Sequence, residues 1–167
     1  MIDSLKNFKT KMYLLTLLYV SFCIAIIILY SNQKFSVEIF GTALLLLTTI
    51  YFSIRSYFLE YDKFFKELFI NFNERYDKIN NDLIQITNKT VLTEEQTKLV
   101  IDYFNMCSEQ YMWEKRGRIP SKIYLSWLDG TMSHLKKEPI NALFNQERKD
   151  NKGSYYGWIE YIEKRKR

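Results

Sequence analysis

MYLLTLLYVSFCIAIIILY, Met12 to Tyr30, and IFGTALLLLTTIYFSI, Ile39 to Ile54, are the two stretches whose reading decides the fold. Neither carries a charged residue. A bilayer core about 30 Å thick takes roughly 20 apolar helical residues, within a range of about 17–25. The first stretch meets this directly. The second meets it once Val37 and the aromatics Tyr57 and Phe58 are included, with Arg55 reaching back to the head groups. The connector between them, Ser31 to Ser36, is short and polar. The reading is a transmembrane helical hairpin over residues 1–56, with spans at about 12–30 and 37–56. A soluble bundle fits less well, because buried core helices are usually shorter and keep a polar face. A cleaved leader is not expected either: the run exceeds the roughly 7–15 residues of a signal-peptide core and no small-x-small site follows it.

Charge sets the expected orientation. Lys6, Lys9 and Lys11 precede the first span, and Arg55, Lys63 and Lys66 follow the second. The connector offers Lys34, with Glu38 beyond it. The positive-inside rule then puts both termini in the cytoplasm, with residues 57–167 as a cytoplasmic helical domain. In a bacterium this is the inner membrane. The chain of 167 residues is long enough for a hairpin and one such domain. Its net charge of +5 is concentrated in part in the tail Lys164, Arg165, Lys166 and Arg167. A basic tail beside a membrane is a candidate contact for anionic lipid, worth about 1 kcal/mol per residue near the surface. Nucleic acid is the second partner such charge suits.

Beyond Ile54 the apolar pattern turns helical and one-sided. Tyr57, Tyr61, Phe64, Leu68, Phe72, Tyr76, Ile79, Leu83 and Ile86 follow at steps of three or four, with no proline or glycine between them. This is a long amphipathic helix. Its stripe is open to two partners, the chain's own downstream helices or the same stripe of a second copy. A break is expected at Thr87–Leu92. Thr93, followed by Glu94, Glu95 and Gln96, has the form of an N-cap with a capping box. From the helix after it Leu99, Val100, Tyr103, Phe104, Cys107, Tyr111 and Trp113 are expected to face inward. Lys115-Arg116-Gly117 closes that helix. Pro120 and Pro139 each open another. Asn151 to Ser154 reads as a loop, Tyr155-Tyr156-Gly157-Trp158 as an aromatic plug, and Trp158 to Lys164 as a last short helix. The expected fold class is therefore all-α.

The chemistry is read mostly by elimination. His134 is the single histidine, and no arginine stands four to six residues before it, so the pairing that HEPN ribonucleases use is missing. No phosphate-cradling glycine loop, dinucleotide fingerprint or nucleophile elbow is present. Glu109 and Glu114, and Asp77 and Asp82, are not spaced to share a helical face. Cys23 and Cys107 are too few and too far apart for a disulfide framework or zinc site, and read as small core residues. No catalytic residue, metal or cofactor is expected. Two non-enzymatic features remain. Glu38, Thr42, Thr49 and Ser53 share one face of the second span and are pore-lining candidates, with plain helix packing as the alternative. Lys115, Arg116 and Arg118 gather at a helix junction and are candidates for a phosphate group of RNA or a nucleotide messenger, or else complement a helix C-terminus.

Three segments carry a resemblance: Phe72-Asn73-Glu74-Arg75-Tyr76-Asp77-Lys78-Ile79-Asn80, then Asp102-Tyr103-Phe104-Asn105-Met106-Cys107-Ser108-Glu109 with Gly117 after it, then Ser154-Tyr155-Tyr156-Gly157-Trp158. They look like a set that recurs in small bacterial membrane proteins. The plan of two spans and a compact helical domain is similar to the accessory membrane effectors of type VI-B CRISPR loci. That resemblance implies a homo-oligomeric, pore-like assembly that perturbs the membrane in phage defence, with a CRISPR ribonuclease upstream. The expected alternative is a membrane-anchored scaffold or sensor whose cytoplasmic domain binds a protein, RNA or nucleotide messenger. A membrane-tethered ribonuclease of the HEPN kind ranks below both.

Overall fold

The computed structural model describes the backbone of residues 2–166 and the side chains of residues 10–165. The described chain is all-α: α1 Ile2–Ser31, α2 Val37–Ile86, α3 Glu94–Lys115, α4 Ser121–His134, α5 Glu138–Asp150 and α6 Trp158–Lys166, with a 3₁₀ turn at Lys152–Tyr155 before α6. Two helices, α1 and α2, are long and apolar enough to cross a membrane. The chain divides between Lys63 and Phe64 into two compact units.

In the first unit α1 and α2 form a hairpin. The turn begins where Gln33 takes a left-handed backbone conformation, φ 57°. The Lys34 amide then donates to the Leu29 carbonyl, 3.0 Å, which closes the end of α1. Met12, Leu15, Tyr19, Cys23 and Ile26 recur at three- and four-residue steps on α1 and are half-buried. On α2 the matching face is Phe40, Ala43, Leu44, Leu47, Thr48 and Tyr51. Tyr19 stacks on Tyr51 and Tyr30 on Phe40, each with ring centres 4.4 Å apart. Two hydrogen bonds cross the same seam, Thr16 Oγ1 with Tyr51 OH and Tyr19 OH with Thr48 Oγ1, both 3.2 Å. Cys23 lies on this seam, half-buried rather than in a core. The outward faces are apolar: Leu17 is 63% and Leu45 68% exposed. Water would make so large a greasy surface costly, whereas lipid would solvate it.

The second unit has a hydrophobic core of its own. The stripe on α2 packs inward from Phe64 to Ile86, with Phe72, Leu83 and Ile86 buried. Tyr57, expected on that stripe, is instead exposed; it falls in the first unit, outside this core. Phe65 and Phe69 join the aromatic side of the stripe, Phe69 stacking on Trp127 at 5.7 Å. α3 starts as its sequence dictates: Thr93 accepts from the Gln96 amide and Gln96 reciprocates on the Thr93 amide. It ends at Gly117, whose φ of 67° suits a residue without a Cβ. Val100, Tyr103, Phe104, Met106, Cys107 and Tyr111 point into the core. α4 runs unbroken through Gly130, so neighbouring packing at Leu128 and Thr131 outweighs that glycine's poor helix propensity. Trp158 closes the bottom of the core against Phe104, Phe144 and Tyr155.

Two polar contacts in this unit escape any reading of spacing. Arg75 holds Glu109 through two parallel hydrogen bonds, 2.5 and 3.3 Å, joining α2 to α3. Glu147 is only 7% exposed. It is kept there by hydrogen bonds from Tyr155 OH, 2.6 Å, and Asn151 Nδ2, 3.1 Å, which supply the partners a buried carboxylate needs.

Candidate functional site

The structure sets out the candidates in three places. On α2, Thr42, Thr49 and Ser53 are exposed, and so is Glu38 in the helix's first turn. At about 100° per residue they lie opposite the Phe40–Leu47–Tyr51 face that meets α1. The row is therefore not consumed in closing the hairpin. Thr49 Oγ1 donates back to the Leu45 carbonyl, 2.9 Å, which leaves its oxygen lone pairs outward.

The basic residues at the end of α3 rest on three different aromatic supports. Lys115 lies over Tyr111 and Tyr161, Arg116 over Trp113, and Arg118 over Phe64, at 5.4 to 6.0 Å from the ring centres. Lys115 also occupies the last turn of α3, where a cation complements the helix dipole. In the tail, Lys164 and Arg165 are exposed and Arg165 lies over Tyr161, 5.5 Å. The Lys166 side chain and Arg167 lie outside the described residues. Part of the positive charge upstream of the tail is neutralised: Glu163 binds Arg148, 3.1 Å, and Lys152, 3.5 Å, tying α5 and the 3₁₀ turn to α6.

The third place is a cavity of about 160 Å³ lined by α2, α3 and α4 and open to solvent on one side, formed by residues of the second unit alone. Phe72, Asn73 and Tyr76 come from α2. Tyr103, Met106, Cys107 and Gln110 come from α3, and Ser126, Trp127, Gly130 and Thr131 from α4. Gln110 is 6% exposed. Among the described residues its side-chain amide has no hydrogen-bond partner. One corner of the cavity is saturated. Thr131 Oγ1 donates to the Trp127 carbonyl, 3.2 Å, and accepts from Tyr103 OH, 3.2 Å. Its remaining lone pair takes the Cys107 thiol, 3.5 Å. Burial pushes that thiol up to about 11, so it keeps its proton at neutral pH. Burial likewise raises Tyr103 far above the ordinary phenol range.

His134 stands just outside the cavity. Its Nε2 meets Tyr76 OH at 3.2 Å and its ring meets Tyr103 edge-on at 5.6 Å. Burial, and next the Lys137 charge, hold it below the usual histidine range, so it is neutral at pH 7. No cluster of metal-ligating side chains occurs among the described residues. The cavity was not legible in the sequence, because it needs three helices brought together. The one available signal was Gln110 itself, a polar residue between the inward-facing Cys107 and Tyr111. Compared with protein-family models, curated proteins and solved structures, the chain matches none of them.

Proposed function

We propose that this chain is a homo-oligomeric two-span protein of a bacterial inner membrane, with both termini cytoplasmic, that changes membrane permeability when activated. The observation that carries this reading is the hydroxyl row on α2. Thr42, Thr49 and Ser53 are turned away from α1 and exposed beside outward apolar residues such as Leu45, Leu46, Ile50 and Phe52. In a bilayer, polar groups so placed face a neighbouring helix or water rather than lipid. A second copy of α2 around a common axis supplies both. The helix is also continuous in sequence from this row to Phe72 and Tyr76, without proline or glycine after Gly41. A change in the helical unit thus has an unbroken element through which to bias the span. Similarity of plan to the accessory membrane effectors of CRISPR loci supports placing the activity in phage defence, with a CRISPR ribonuclease, RNA or nucleotide messenger as the signal.

The test replaces Thr49 and Ser53 together by Leu. Leucine is favourable in a membrane helix, so insertion survives. In a pore the change turns a ring of hydroxyls into an apolar ring, which favours dewetting. In cells overproducing the chain, a membrane-potential dye should show most of the depolarisation lost while protein level and cross-linked assembly size are unchanged. Full depolarisation by the double variant would remove this face from the lining. An inert wild type would favour the scaffold or sensor reading, which the cavity in the second unit supports independently.

A further inference from the structure

We infer that the α2–α3–α4 cavity is a binding site for an uncharged, planar, single-ring heterocycle that presents a cyclic-amide edge to Gln110. The inference concerns the helical unit alone and stands apart from the membrane reading.

Size comes first. A dry cavity of about 150 Å³ holds one benzene ring, and this one measures about 160 Å³. A purine or larger fused system would overfill it. The walls come next. Phe72, Tyr76, Tyr103 and Trp127 supply aromatic surface, the surface on which flat rings stack. Charge is then decisive. No Asp, Glu, Lys, Arg or His lines the cavity, so an ion entering it would lose its hydration without a counter-charge. The nearby Arg75 and Glu109 bind each other, and neither lines the cavity.

Hydrogen bonding selects the edge. The Thr131, Tyr103 and Cys107 cluster satisfies itself, and Ser126 donates to the Lys122 carbonyl, 3.2 Å. Two carboxamides remain without a protein partner among the described residues: Gln110, a residue only 6% exposed whose amide still reaches the open side of the cavity, and the half-buried Asn73. In the free protein water serves the Gln110 amide, so a ring that displaces that water must replace its hydrogen bonds or lose affinity. A carboxamide carries a donor and an acceptor side by side. Its best complement is another amide edge, an N–H adjacent to a C=O, joined by two parallel hydrogen bonds. A pyrimidine base such as uracil has that edge. Ser126 and Gly130 are exposed at the α4 side, so a substituent on the ring can leave the cavity there. The ring can therefore arrive free or as the base of a nucleotide.

The test uses the full chain in lipid nanodiscs and ligand-observed NMR titration with uracil, uridine 5′-monophosphate and benzene. Uracil or the nucleotide should bind saturably, and more tightly than benzene. Tighter binding of the nucleotide would assign the ring to a nucleotide, and tighter binding of uracil to the free base. Gln110→Leu should weaken both at least tenfold while leaving benzene binding equal or stronger. Because Gln110→Leu acts in the core, Gly130→Met serves as the second variant. A Cβ at Gly130 meets open space, so the longer side chain can enter the cavity without displacing backbone. It should abolish binding of every ring. Absence of saturable uracil and nucleotide binding in the wild type would overturn the inference. So would binding that Gly130→Met leaves intact, or an equal response of uracil and benzene to Gln110→Leu, which would make the cavity a plain apolar void.

Discussion

Tyr51 and Tyr103 each end in a hydroxyl 3.2 Å from a threonine, Thr16 in the hairpin and Thr131 in the helical unit. The two pairs look alike and carry different shares of stability. Around Tyr51 the outward surface is aliphatic and exposed, so in lipid there is little hydrophobic drive between α1 and α2. Ring stacking and the two interhelical hydrogen bonds then hold the hairpin closed. Tyr103 is 2% exposed and packed on Phe104, Tyr76 and His134. There the burial of aromatic surface from water is the driving term, and the hydroxyl bond mainly avoids an unsatisfied group. The same side chain is adhesive in one unit and filler in the other.

The largest way to break this comparison is to remove a core ring. Phe104 is fully buried between Phe144, Trp158 and Tyr103. Phe104→Ala should cost about 3–5 kcal/mol, enough to unfold the helical unit at moderate denaturant. All three tryptophans, Trp113, Trp127 and Trp158, lie in that unit, so their fluorescence follows it alone. Membrane insertion and the helical content of the hairpin should persist. A loss below about 1 kcal/mol would mean that aromatic burial does not dominate the second unit.

Much of this division was legible in the chain. The uncharged stretches announce α1 and α2, and Thr93 with Gln96, Gly117, Pro120 and Pro139 mark the helix ends, because caps and breakers act on their own few residues. The α2 stripe from Phe64 to Ile86 was legible for the same local reason. The misses are contacts between distant elements. Arg75 with Glu109, the burial of Glu147 under Tyr155, and the cavity around Gln110 depend on which helix faces which, and period alone does not encode that. Lys115, Arg116 and Arg118 stand close in sequence and rest on different rings, because each turn of a chain end points its side chain elsewhere. Tyr57 continues the three-and-four spacing of the stripe, but the residues it would need to cover lie on helices that begin to pack at Phe64.

A smaller perturbation sharpens the hairpin side. Tyr51→Phe with Thr16→Val forms a double-mutant cycle across the α1–α2 seam. Both changes keep size; Thr16→Val also removes the bond Thr16 donates to the Met12 carbonyl, 2.9 Å, a loss the cycle subtracts. The coupling should be about 0.6 kcal/mol, the average for such bonds within membranes, and below about 1.7. It can be read from reversible unfolding of the hairpin in mixed micelles of increasing denaturing-detergent fraction. A coupling of zero would leave the two ring stacks and the Tyr19–Thr48 bond to hold the seam.

The smallest expected effect separates the units by pH. His134 is the single histidine and lies in the helical unit, so a histidine titration should belong to that unit. The ring is held below its ordinary value by burial first and by Lys137 second. Tyr76 is held above its ordinary value by burial, so its hydroxyl keeps its proton and can donate to a neutral Nε2. Protonating His134 would put a second donor against that hydroxyl. The sign follows by linkage: the unfolded chain binds the proton more readily, so stability rises with pH between the folded value and about 6.5. The contribution is complete above that range and is lost as pH falls through it. His134→Gln retains an acceptor for Tyr76 without titrating. Between pH 7 and pH 5 the melting temperature from tryptophan fluorescence should therefore fall further in the wild type than in the variant. The difference should be on the order of 2 °C, because solvent screens a half-buried ring. Parallel curves for the two proteins would show that the ring's charge is not felt by the fold. A pH response of the same size in the hairpin's detergent unfolding would erase the contrast between the units.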